Sequence, residues 1–144
     1  MKLVKADAFS LIEIIFAVAI VSIIAIVAIP KLSTSLDKTN FIKIKSDILL
    51  IRDGLNRYKN KQILKGETST LDSLDDNSNL LFNKILKYPI VSSSSKKIST
   101  WKKISDSSYT VWLDNETTLE FVYNKANYTF DCSKNDENCI EFSQ

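Results

Sequence analysis

At 144 residues the chain has the length of one domain with an appended segment, and 25% charged against 44% hydrophobic residues place it in the ordinary globular range. Histidine is absent, the only cysteines are Cys132 and Cys139, and the only glycines are Gly54 and Gly66. The usual general base, a four-thiolate zinc site and a glycine-rich phosphate loop are thereby excluded, while a net charge of +2 says little until it is divided along the chain.

A short polar leader, Met1 to Ala8 with Lys2 and Lys5, runs into Phe9-Ser10-Leu11-Ile12-Glu13, and Ile14 to Ile29 is then apolar except for Ser22. From Leu11 to Ile29 the helical rise comes to about 28 Å, close to the roughly 30 Å hydrocarbon core of a bilayer. The segment is expected to span a membrane, with Lys2 and Lys5 favouring a cytoplasmic amino terminus. A secretory signal peptide has an apolar region of only about 7 to 15 residues before a small-residue cut, and here the run is longer and ends in Ile29-Pro30. A buried core helix needs more chain to cover it on every side than this one supplies.

The string Ala8-Phe9-Ser10-Leu11-Ile12-Glu13, followed by the apolar run and Pro30, resembles the amino terminus of type IV pilins and of type II secretion and competence pseudopilins. The resemblance implies a leader at 1–8 removed by a prepilin peptidase between Ala8 and Phe9, and methylation of the new Phe9 amine. It implies a transmembrane and assembly helix at 9–30 and a periplasmic globular domain at 31–144. Glu13 matches the family's acidic assembly residue and Pro30 its helix-bending proline, whereas Ala8 departs from the family's glycine before the cut. The implied partners are copies of this chain and other pilins, the peptidase, an inner-membrane assembly platform and the lipid bilayer.

Beyond residue 36 the chain is read from its own pattern. Phe41, Ile44, Ile48, Ile51, Leu55 and Tyr58 alternate steps of three and four, an amphipathic stripe that Gly66 stops. With the apolar segment it predicts a long helix from about Phe9 to Leu64, bent at Pro30. Lys31, Lys38, Lys45, Arg52 and Lys59 repeat every seven residues beside the stripe. That flavour admits a short coiled coil, but a stripe packed on the protein's own sheet with the basic row as a solvated or subunit-facing flank is the simpler reading. Residues 31 to 65 carry 9 basic against 3 acidic side chains, or +6, and residues 66 to 144 carry 8 against 12, or −4. Side-by-side subunits would bring opposite charges together, and contact of the basic helix with DNA is a weaker alternative.

A polar stretch from Glu67 to Ser78 precedes Leu80 to Tyr88, where Leu81, Ile85 and Tyr88 fit one helical face capped by Ser78 or Asn79 and ended by Pro89. The serine-rich loop Ser92 to Ser95 sets Ser93 against Lys96 and Ser94 against Lys97 at the spacing of a hydrolase's nucleophile pair, without any accompanying motif. Alternation then takes over: Tyr109, Val111 and Leu113; Leu119, Phe121 and Tyr123; Tyr128, Phe130 and Cys132. These predict an antiparallel meander, with Ile98 to Ile104 and Cys139 to Phe142 as edge strands. Cys132 and Cys139 are expected to form a disulfide. Asp131, Asp136 and Glu137 cluster beside it as calcium candidates, because some pseudopilins bind calcium near the carboxyl end, although an acidic surface turn is the commoner outcome for such a cluster.

The expected fold is α+β: a long amino-terminal helix, half spanning a membrane and half amphipathic, packed on a small antiparallel sheet in the pilin manner. The expected function is a non-enzymatic subunit of a type IV pilus or type II pseudopilus filament, stored in the inner membrane. In that reading Glu13 meets the freed amine of Phe9 on a neighbouring subunit. The alternative is a signal-anchored periplasmic binding or adhesion protein that does not polymerise.

Overall fold

The computed structural model describes residues 10–67, 69–133 and 135–142, with the side chains of 27–37 outside the description. The chain divides into two compact units, Met1–Lys38 and Thr39–Gln144. The first helix, α1 (Leu11–Lys65), contributes to both.

In the first unit α1 starts on the Ser10 carbonyl, which accepts the N–H groups of Glu13 at 3.0 Å and Ile14 at 3.2 Å. Among the described residues no helix is long and apolar enough to cross a membrane. This overturns the expected spanning helix at 9–30, and with it the membrane-spanning fold class and the single-pass inner-membrane placement.

In the second unit α1 ends in a Schellman turn. Gly66 adopts φ +70°, its N–H bonds to the Ile63 carbonyl, and the Glu67 N–H reaches back to Gln62. The segment expected as a helix at Leu80 to Tyr88 instead opens with β1 (Leu80–Leu81), paired antiparallel to β2 (Ile90–Val91). A four-stranded antiparallel sheet follows in the order β3 (Trp101–Lys103), β4 (Ser108–Trp112), β5 (Thr118–Asn124) and β6 (Thr129–Cys132). The expected edge strand at Cys139 to Phe142 is instead part of a helix, α2 (Glu137–Phe142). Asp136 caps it, taking the Asn138 N–H on its carboxylate and the Cys139 N–H on its carbonyl, so Cys139 and Phe142, three apart, fall on one buried face.

Ile44, Ile48, Ile51 and Leu55 of α1 and the inward residues of the sheet share one core. Phe82 sits at its centre, 4.6 Å from the Tyr109 ring and edge-on to Trp101 and Phe130 at 5.9 and 5.7 Å. Its backbone is left-handed, φ 62°, a strain of roughly 1–3 kcal/mol that burial of a whole aromatic side chain offsets. That burial of two successive residues, Leu81 and Phe82, is why a helical period misreads this segment. The helix comes close to the same loop at Gly54, where an added Cβ would lie 2.9 Å from the Ile85 carbonyl oxygen. The Trp101 indole donates to Asp47 on α1 at 3.0 Å, and burial pushes the Asp47 carboxyl up, partly countered by that hydrogen bond and by Lys43.

Two consequences are measurable. Gly54→Ala gains helix propensity but drives a methyl into a backbone carbonyl, so it is expected to lower stability by about 1–3 kcal/mol, read as a fall in the urea midpoint; an unchanged or raised midpoint would contradict the close approach. Asp47, protonating more readily in the folded than in the unfolded state, adds stability as pH falls through its raised folded value toward the ordinary carboxylate range. Asp47→Asn should therefore match or exceed the parent's stability at neutral pH and flatten that component of the acid-side profile, with denaturant midpoints from neutral to acid pH as the check.

Candidate functional site

The first unit offers an exposed surface. Leu11, Ile12, Ile14, Ile15, Phe16, Val18, Ile20, Val21, Ile23, Ile24 and Ile26 are all between 55% and 78% exposed. Single exposed apolar side chains are ordinary, but a contiguous helix of them in water marks a contact surface. Within it Ser22 is satisfied locally, its hydroxyl donating to the Val18 carbonyl one turn back at 2.7 Å. Glu13 is the sole ionisable residue between Leu11 and Ile26, and it lies exposed in the first turn, where a carboxylate also complements the helix dipole. The cut and methylation expected at Ala8 and Phe9 lie outside the described residues. Pro30 falls within α1, its side chain likewise outside them.

At the carboxyl end Cys132 and Cys139 are joined in a disulfide with their Cα atoms 5.7 Å apart. The three calcium candidates are not brought together. Asp131 pairs with Arg52 at 2.8 Å, Asp136 caps α2, and Glu137 occupies the first turn of that helix. Among the described residues no group of three or more histidine, cysteine, aspartate or glutamate side chains is placed to hold a metal ion. The Asp-Glu-Asn run before Cys139 is a helix-start signal that was there to be read.

Arg52, expected on a solvated basic row, is instead a strap. Its guanidinium donates to the Phe130 carbonyl at 3.0 Å, the Phe142 carbonyl at 3.3 Å and the Asp131 carboxylate, tying α1 to β6 and to the end of α2. The outward carbonyl of an edge strand is thereby occupied. Phe41 packs on Phe142 with ring centroids 4.7 Å apart, and a cavity of about 170 Å³ opens beside Arg52 and Asn56.

A second polar cluster, with no local sequence signal, lies under the β3–β4 turn. Lys103 donates to Asp75 at 2.9 Å, to Asp106 at 2.8 Å, to Ser73 at 3.1 Å and to Asn77, and the Tyr109 hydroxyl donates to Asp75 at 2.8 Å. Desolvation pulls the Lys103 ammonium down but is outweighed by its bonds to Asp106 and Asp75, so its value is raised. Burial first, and then Asp75, push the Tyr109 phenol far above its ordinary value. Neither group can serve as a base near neutral pH, and the cluster satisfies a fully buried carboxylate. The serine–lysine pairing does not form at Ser93, whose hydroxyl meets Ser95 at 2.7 Å while the Lys96 ammonium lies over the Trp112 ring.

Comparison with protein-family models, with curated proteins and with solved structures finds no match.

Reduction of the disulfide, which closes a short loop, is expected to cost about 2–3 kcal/mol and to open α2 to protease before the sheet unfolds. Limited proteolysis with and without a thiol reductant checks this; cleavage first within the sheet would contradict it.

Proposed function

We propose that the chain is a non-catalytic structural subunit of a helical filament of the type IV pilus or type II pseudopilus kind, cut between Ala8 and Phe9 before assembly. The observation that supports this most is the exposed apolar helix from Leu11 to Ile26 with one carboxylate near its start. In a filament, neighbouring helices of the same kind cover that surface and remove it from water, at about 25 cal/mol for each Å² of apolar area buried. Glu13 would be an uncompensated charge in such a core. The amine released at Phe9 of an adjacent subunit supplies the opposite charge, and a buried ion pair with both partners present is tolerated where a lone carboxylate is not. The serine–lysine hydrolase reading loses its geometry at Ser93 and Lys96.

Co-expression with a prepilin peptidase, followed by shearing, sedimentation and intact-mass measurement, tests the proposal. The expected product begins at methylated Phe9 and sediments as filaments. Glu13→Ala should leave the circular dichroism of the folded protein unchanged and lower filament yield by at least about tenfold, since removing one partner of a buried pair costs more than the 1.4 kcal/mol of one decade. A chain that still begins at Met1, or full filament yield from Glu13→Ala, would sink the reading.

A further inference from the structure

The polar cluster under the β3–β4 turn holds an amine against an amide. The Lys103 Nζ lies 2.5 Å from the Asn77 Oδ1, 2.9 Å from the Asp75 Oδ1 and 2.8 Å from the Asp106 carboxylate. One carbonyl bond, about 1.23 Å, separates Oδ1 from the carboxamide carbon, which puts the amine within about 3.7 Å of that carbon, close to the roughly 3–3.5 Å from which reacting atoms combine. Asn77 is held there by its own turn. Its backbone is left-handed, φ 64°, and its N–H donates at 3.2 Å to the same Asp75 Oδ1 that receives Lys103, so one carboxylate oxygen positions both the amide and the amine. The Asp75 side chain is fully buried and takes the Tyr109 hydroxyl on its other oxygen, whereas Asn77 is exposed.

An amine fixed against a carboxamide, with a buried carboxylate touching both residues, is arranged for acyl transfer. We propose that Lys103 and Asn77 join in an intramolecular isopeptide bond, made by the folded chain with no other reagent. The Lys103 ammonium first passes one proton to the Asp75 carboxylate along their hydrogen bond. Of its two carboxylate partners Asp106 is largely exposed and Asp75 is not, and burial disfavours the charged form, so the proton goes to Asp75. The freed lone pair then forms a C–N bond to the Asn77 carboxamide carbon. A second proton moves from the attacking nitrogen to the departing Nδ2, the bond from carbon to Nδ2 breaks, and ammonia leaves to the water that reaches Asn77. The three protons of the ammonium end on Asp75, on ammonia and on the new amide, and nothing is oxidised or reduced. A buried ion pair is replaced by a neutral acid and a neutral amide, and dilution of the ammonia drives the exchange forward. Groups held in contact react as if at effective concentrations of about 10⁵–10⁸ M, which is what an amide, a poor acyl donor, requires. The bond ties the loop that follows α1 to β3, and it does not depend on the filament reading.

The test is the intact mass of the full chain, purified in detergent, incubated at neutral pH and then reduced. It is expected to fall below the sequence mass by one ammonia, and a protease digest is expected to contain a branched peptide joining the segments around Asn77 and Lys103. Lys103→Arg keeps the cation but has no primary amine to form the bond, and Asn77→Ala removes the acyl group at an exposed position. Both variants are expected to keep the circular dichroism of the parent and to show their full sequence mass. A parent chain of full mass would overturn the cross-link. So would a loss of ammonia that persists in Lys103→Arg, since it marks an imide closed at Asn77 alone.

Discussion

The described fold is organised by one helix whose apolar side chains are only partly covered among the described residues. Its inner stripe, Ile44 to Leu55, is buried against the sheet, whereas Leu11 to Ile26 and the outer residues Ile42, Leu49 and Leu50 are exposed. Apolar area left in water is unfavourable, and any contact that covers it is favoured by roughly 25 cal/mol for each Å² removed. The second unit then has two tasks, to fix the inner stripe firmly and to leave the other face clear.

The first task is met by aromatic packing supported by polar groups placed at the margins. Phe82, Trp101, Tyr109, Phe121 and Phe130 stack or meet edge-on around the inner stripe, with the Phe121 and Phe130 rings nearly parallel at 5.2 Å. The polar atoms that such a core displaces are nearly all accounted for. The Trp101 indole finds Asp47, the Tyr109 phenol finds Asp75, and Asp75 is neutralised by Lys103. The Tyr123 hydroxyl is buried without a partner among the described residues, and burial, followed by the nearby Tyr128, Tyr58 and Asp72, pushes its phenol up to about 12. Arg52 and the disulfide close the margin at the other end, where β6 and α2 would otherwise offer an open edge.

How much of this was legible in the sequence follows from how local each signal is. The inner stripe and the alternation at Tyr109 to Cys132 are periodic, and period survives folding because it is the imprint of a helix or strand against a single face. Leu80 to Tyr88 carries a helical spacing, but its burial is set by a left-handed residue at Phe82 rather than by any period. Cys139 to Phe142 is too short for period to separate strand from helix, and the cap at Asp136 was the better guide. The apolar run from Leu11 to Ile29 reads as a span on composition, whereas among the described residues no helix is long and apolar enough to cross a membrane. Lys103 with Asp75, and Arg52 with the Phe142 carbonyl, join residues far apart in sequence and leave no local trace. Of the candidate site, Glu13 and the apolar run around it are visible in the sequence itself, because both are local features of one helix.

A single exposed stripe on a helix is satisfied by a dimer, since it pairs with its own copy and is then used up, whereas Leu11 to Ile26 is exposed on every side and one partner does not cover it. Residues 31 to 65 balance at +6 and residues 66 to 144 at −4, but much of that charge is engaged inside the second unit, Arg52 with Asp131, Lys103 with Asp75 and Asp106, and Lys125 with Asp72. Exposed charges are each worth little and are screened by salt, so their part is to choose orientation while apolar burial holds the contact. Salt does not screen apolar burial, and the Leu11–Ile26 helix exposes apolar side chains along its length.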